Sequence, residues 1–277
     1  MASAPQTFRM GHAADADWET MTENCLRQMG PIPEDANLGF VYVTDMLDDD
    51  LPLAADKLRA ETEIAHWVGT VGFGVMVGGQ EYFDTPAMVT MVGALPANAF
   101  RVLPTVEKPG DPLPDEVMDW VEKANPMLGV VHADPRNAYV ADILNAITDD
   151  TEAFLVGGLT ASRGQQSQIA DGLTQGGVSG VLFADDVAVS TGLSQGCSPV
   201  GNIHDVTRAK DNILIELDGH PALDVFKEDI GEVLARNLER VAGFIHAALP
   251  ISGDDSGDYL VRNVVGIDPD NKLVAIG

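Results

Sequence analysis

The chain has 277 residues, 43 acidic against 16 basic, for a formal net charge of −27. A chain of this length buries roughly three quarters of its unfolded surface, so a substantial core is expected. The acidic excess repels phosphate backbones and anionic headgroups and argues against nucleic-acid and membrane partners, while 45% hydrophobic residues, 6% aromatics and 28 glycines suit a mixed α/β protein rich in tight turns.

In chain order, TFRMGHA reads as a strand and the segment from about Ala14 to Met29 as a helix, with GPIPEDANLG as a Pro/Gly connection before the strand GFVYVTDML. Pro52 stands at a helix start, and Leu51, Ala55, Leu58, Thr62 and Ala65 recur at helical spacing. The strands VGTVGFGVMV and AMVTMVGAL follow. The order then returns as strand MLGVVHADP, helix Asn137 to Ile147, strand AFLVGGLTAS, a polar loop and strand VSGVLFADDVAVS. Leu38 corresponds to Leu128, and Val68-Gly69 to Val156-Gly157, an offset of about 90 residues with matched element order. The expected fold is therefore α/β (α+β): duplicated strand-helix-strand-strand halves, stacked as helix-sheet-sheet-helix layers, with one mixed sheet as the alternative. A domain over residues 1–220 is expected, then a partial α+β domain over 221–277. The latter holds a long helix running from about Ile230 to Ala248 through Val233, Leu234, Leu238, Val241 and Ile245, followed by a hairpin of YLVRNVVGI and KLVAIG around Asp268-Pro269-Asp270-Asn271. A hairpin is marginal alone, so docking within the chain is expected, or an oligomer formed through the C-terminal edge.

Several chemistries fail on spacing. The acidic clusters lack an Asp-x-Asp-x-Asp-Gly loop with a distal Glu, and Cys25 and Cys197 support neither a disulfide framework nor a zinc site. Gly69, Gly72, Gly74, Gly78 and Gly79 do not form the Gly-x-Gly-x-x-Gly turn of a dinucleotide site, so close packing of two backbones is the reason expected for them, and no cofactor is expected. The six histidines are scattered without metal-ligand spacing. The N-terminal stretch carries no basic region followed by an apolar run, and the reducing cytoplasm is the expected location.

Two segments carry candidate chemistry. In SQGCSPVG, Gly196, Pro199 and Gly201 make a tight loop that exposes backbone N–H groups, with Cys197 and Ser198 lining a pocket or simply packing. A reactive Cys197 thiolate would need a cation, a base such as His204 or a helix start beside it. In GGLTASRGQQSQ, Ser162 and Arg163 lie beyond a strand, where they either contact a carboxylate or form a solvated loop.

The run GCSPVG followed by VTRAKDNILIELDGHPAL, with FVYVTDML, WVGTVGFG and VSGVLFADDVAVSTGLSQG upstream and YLVRNVVGIDPDNKLVAIG downstream, resembles the FIST family, whose name links F-box proteins with intracellular signal transduction. The resemblance covers the family's N-terminal domain and the beginning of its C-terminal domain, which in family members continues beyond the equivalent of Gly277. It implies a cytoplasmic module that senses a small polar metabolite such as an amino acid and acts on a signalling output protein. It carries over the loop from Gly196 to Gly201, Asn212, Glu216 to Gly219, and the Arg262-Asn263 pair. A ligand set of Gly196, Cys197, Ser198, Gly201, Ser162, Arg163, Asn212, Arg262 and Asn263 is therefore expected. A cysteine-dependent hydrolase or transferase using Cys197 is the alternative.

Overall fold

The structure is a computed structural model describing residues 7–192, 196–238, 244–250 and 259–277. It forms two compact units, one ending at Val189 and one beginning at Ser190.

The first unit is the expected duplication. Its first half runs β1 (Thr7–Ala14), α1 (Trp18–Met29), β2 (Leu38–Thr44), α2 (Leu51–Thr62), β3 (His66–Gly72), the hairpin β4 (Gly74–Val77) with β5 (Gln80–Phe83), and β6 (Ala87–Ala94). The second repeats this as β7 (Phe100–Val106), α3 (Asp115–Ala124), β8 (Leu128–Ala133), α4 (Val140–Thr151), β9 (Phe154–Leu159), the hairpin β10 (Gln168–Ala170) with β11 (Gly172–Thr174), and β12 (Val178–Phe183). The strand orders are the same, β1-β6-β2-β3 and β7-β12-β8-β9, with one parallel pair each, β2 with β3 and β8 with β9. Each half thus begins one strand and one helix earlier than the strand-helix-strand-strand unit read from the sequence.

Local details repeat with the topology. Thr62 and Thr151 end their helices, and each buried hydroxyl donates to the carbonyl four residues back (Leu58, 2.7 Å; Ile147, 2.6 Å) while accepting from the N–H two residues on. The next residue, Glu63 or Glu152, turns left-handed at φ 58° or 56° and sends the chain into the parallel strand. On that strand a Cβ at Gly69 would lie 1.7 Å from the Val41 carbonyl oxygen, and one at Gly157 1.9 Å from that of Val131. Close backbone packing is thus the reason for both glycines.

Alternation along the strands produces the layers. Val41, Val43, Trp67 and Val71 face outward onto Met21, Cys25, Leu51 and Leu58 of α1 and α2. Leu103, Val131 and Leu182 face outward onto Val117, Trp120, Ile143 and Ile147 of α3 and α4. The inner faces meet through Leu38, Phe40, Val68, Phe100, Leu128, Val181 and Phe183. This is the helix-sheet-sheet-helix sandwich. β10 crosses over to pair antiparallel with β3, so the second half lends its hairpin to the first sheet.

The second unit contains β13 (Val206–Lys210), β14 (Ile213–Leu217), β15 (His220–Pro221), α5 (Ala222–Ala235), β16 (His246–Pro250), β17 (Tyr259–Asp268) and β18 (Leu273–Ile276). The boundary expected at residue 220 falls inside it, because β14 pairs with β18. The expected hairpin forms and docks within the chain: β18 lies between β14 and β17, and β16 flanks β17. Asp268 builds its turn by accepting from the Asp270 and Asn271 N–H groups, both at 3.0 Å. Buried Ala222 and Leu223 pack against Val264 and Val274.

The long helix is corrected. α5 starts at Ala222 and bends at Gly231 (φ 78°, ψ 161°), Val233 and Leu234 are exposed, and His246–Pro250 is a strand on β17. Glycine at φ > 0 interrupts the helical register, and the apolar spacing beyond it does not describe one face. Val241 lies outside the described residues. Among those described, no helix is long and apolar enough to cross a membrane.

Candidate functional site

Between the sheets the first unit changes from apolar to polar toward the carboxyl ends of its parallel strands. Tyr42 and His132, at equivalent positions of β2 and β8, meet at 3.0 Å between the Tyr hydroxyl and Nε2. Thr70 meets Thr160 at 2.9 Å, and Ser179 donates to Gln168. His132 is 4% exposed and its Nδ1 has no partner among the described residues; burial pushes the imidazole down to about 4, so it is neutral near pH 7. Tyr42 is pushed up to about 12 by the same burial.

Just beyond those strand ends, each cation is already matched by acids. Arg163 donates to Asp84 at 2.7 Å, lies 3.6 Å from Asp45, and lies over the Phe73 ring at 5.3 Å. Its own N–H donates to Asp45, and the Ser162 hydroxyl accepts from the Gly164 N–H. Arg136 clamps Asp134 through two bonds of 3.0 and 2.8 Å, and that guanidinium holds the Asp134 carboxyl below the usual carboxylate range. Asp48 accepts from the Gln165 N–H and the Ser167 hydroxyl. An anion arriving at this end would have to displace an aspartate.

The opposite end of the second sheet has a cavity of about 580 Å³. β7 supplies Arg101, one face of α3 supplies Glu116, Asp119, Trp120 and Lys123, and the turn after β12 supplies Asp185 and Asp186. The Arg101 guanidinium carbon lies 5.9 Å from the centre of the Trp120 ring, and the indole N–H is held by the Asn98 carbonyl at 2.8 Å. Buried Arg101 Nε has no hydrogen-bond partner among the described residues. Among the described residues neither Arg101 nor Lys123 forms an ion pair, although four carboxylates line the same cavity. The spacing of positions 116, 119, 120 and 123 marks one helical face in the sequence, but nothing local links it to Arg101.

The remaining expected residues lie in the second unit. Gly196, Cys197 and Ser198 are exposed, and the Cys197 carbonyl accepts from the Tyr259 hydroxyl at 2.7 Å, tying this loop to the strand of Arg262 and Asn263. Gly201 turns at φ 77° against the Asp229 side chain. Asn212 has a structural job, donating to the Ile276 carbonyl at 2.8 Å and accepting from its N–H at 3.0 Å. Arg262 donates to the carbonyl of its own neighbour Val261, and the Asn263 carbonyl accepts from the Gly277 N–H. His204, the candidate base, has its nitrogens at 2.6 Å from Asp218 and 2.9 Å from Asp229. The other cysteine, Cys25, is buried and its thiol is pushed up to about 12 by that burial.

The FIST N domain matches residues 37–220, from the start of the first parallel pair to the short strand before α5. The chain belongs to the FIST family. Its N-terminal domain is a small-ligand-sensing domain of signal transduction. Two uncharacterized proteins of Mycobacterium tuberculosis, from strains CDC 1551 and H37Rv, are each 28% identical to the chain over 236 residues, covering 79% of it. The chain spans 59% of the length of these relatives. No solved structure matches it.

Proposed function

We propose that the chain is a cytoplasmic ligand-sensing module and that its ligand is a small carboxylate, in particular an α-amino acid, held in the Arg101 cavity. One observation carries this reading: in a chain with 43 acidic and 16 basic residues, this cavity holds two cations that form no ion pair among the described residues, beside a buried indole face. Arg101 and Lys123 supply donors for a carboxylate, and Asp119, Asp185 and Asp186 supply acceptors for an ammonium group. The volume suits a small molecule. Arg163, already matched to Asp45 and Asp84, positions the loop that carries it instead. A ligand here bridges β7, α3 and the turn after β12, and so biases their packing, which an output partner reads.

A thermal-shift screen of amino acids and small carboxylates, followed by titration calorimetry, tests this. A compound that stabilises the protein should lose at least tenfold in affinity in Arg101→Gln and in Lys123→Gln, and keep its affinity in Arg163→Lys. Retained affinity in both cavity variants would move the site elsewhere.

A further inference from the structure

An imidazole has two ring nitrogens and, when neutral, one N–H. His204 directs both at carboxylates: Nδ1 is 2.6 Å from Asp218 Oδ2 and Nε2 is 2.9 Å from Asp229 Oδ2. Ionised carboxylates only accept, so both bonds require one proton more than neutral imidazole and two carboxylates provide. The three residues come from separate elements: the loop before β13, the turn between β14 and β15, and α5. We infer that His204 is a proton-operated clasp that fastens the Gly201–Asp205 loop to α5 and releases it when the shared proton leaves.

The two sides of the clasp are unequal, which sets the direction of release. On the Asp218 side the loop is held by bonds that do not titrate with the imidazole: the Asp205 N–H donates to Asp218 Oδ1 at 2.8 Å, and the Asp218 N–H donates to the Asp205 carbonyl at 2.9 Å. On the Asp229 side the bond the loop adds among the described residues is a 3.4 Å one from the Asn202 N–H, beside Gly201, whose backbone sits so close that a Cβ would meet the Asp229 carboxyl at 2.4 Å. Loss of one proton therefore leaves the Asp218 bond standing and turns an imidazole lone pair toward Asp229. The loop stays on the β14–β15 turn and parts from α5, two residues before the Gly231 bend.

The charged and titratable groups around the imidazole are Asp205 on its own loop, Asp218 and His220 at the β14–β15 turn, and Glu228 and Asp229 on α5. Carboxylates outnumber the one other histidine, so the local field favours the protonated ring. The His204 value is raised, first by the Asp218 bond and further by Asp229, and the clasp is closed below the ordinary imidazole range and opens as pH rises through the raised value. The Asp218 value is lowered by the same bond, so this carboxylate still accepts at the acid edge of the usual carboxylate range. This device does not depend on which ligand the first unit binds.

The test is an NMR titration of His204 in the intact protein combined with amide hydrogen exchange over residues 196–232. Above the His204 midpoint, exchange at Asn202 and in α5 around Asp229 should rise about tenfold per pH unit beyond intrinsic base catalysis, while the Asp205 and Asp218 amides keep their protection. Asp229→Asn should lower the midpoint, and His204→Gln should remove the pH dependence. An imidazole that titrates no higher than a free histidine peptide, or exchange at Asn202 that follows intrinsic rates alone, would overturn the clasp.

Discussion

The buried imidazole of His132 makes acid the sharpest probe of the first unit. It is neutral in the folded protein because burial depresses it from 6.5 to about 4, whereas the unfolded chain protonates it near the ordinary value. The sign follows: its contribution is intact above about 6.5, declines as pH falls toward 4, and changes no further below that. Each pH unit in the window costs about 1.4 kcal/mol, so the protein loses on the order of 3 kcal/mol through this residue alone. His132→Gln removes the titration and keeps an amide N–H for the Tyr42 hydroxyl. Urea unfolding followed by tryptophan fluorescence is the assay, since Trp18, Trp67 and Trp120 all lie in the first unit. Carboxylate titrations are common to both proteins and cancel in the comparison. The stability advantage of wild type over the variant should shrink by about 3 kcal/mol between pH 7 and pH 4. An advantage that stays constant within about 1 kcal/mol would refute the reasoning and place a proton acceptor beside the ring.

Two further outcomes follow from the packing. Gly157→Ala must push β9 away from Val131 and should cost about 3 kcal/mol or more in urea unfolding, whereas its neighbour Gly158→Ala, with open space around the added carbon, should stay within about 1 kcal/mol of wild type. Under native conditions iodoacetamide should label Cys197 and spare Cys25, which mass spectrometry of the digested protein reads directly; labelling of Cys25 without unfolding would contradict its burial.

The duplication was legible because strands buried on both faces read as apolar runs, and because β2 and β8 sit at the same step of the same pattern, Leu38 with Leu128. The stretch from Phe100 to Ala124 is illegible by periodicity, because Pro104, Pro109, Pro112 and Pro114 break it, yet Pro104 lies within β7 and Pro114 caps α3. The state of each arginine was illegible for a different reason. What neutralises Arg163 is Asp45, 118 positions away, and Asp84, 79 positions away. What leaves Arg101 unmatched among the described residues is a fold that brings carboxylates into its cavity without bringing any of them into bonding distance. The end of α5 was misread because apolar spacing beyond Gly231 belongs to the return into β16.

The hairpin that β10 lends to the first sheet has a consequence for biosynthesis. Ile169, from the second half, is buried in the core of the first, and Gln168, Ile169 and Ala170 complete the edge of β3 opposite Thr70, Gly69 and Val68. As the chain emerges from the ribosome, the first sheet has every other strand it needs once Ala94 is out, yet it must wait for Thr174 with β3 unpaired on one side. At ordinary elongation rates of about 5–20 residues per second, those 80 residues take about 4–16 s. During it, the strand most able to satisfy the open edge is the same hairpin of a neighbouring nascent chain. On polysomes, therefore, the protein is exposed to exchanging β10–β11 between copies, a hazard that ends for each molecule when its own second half arrives.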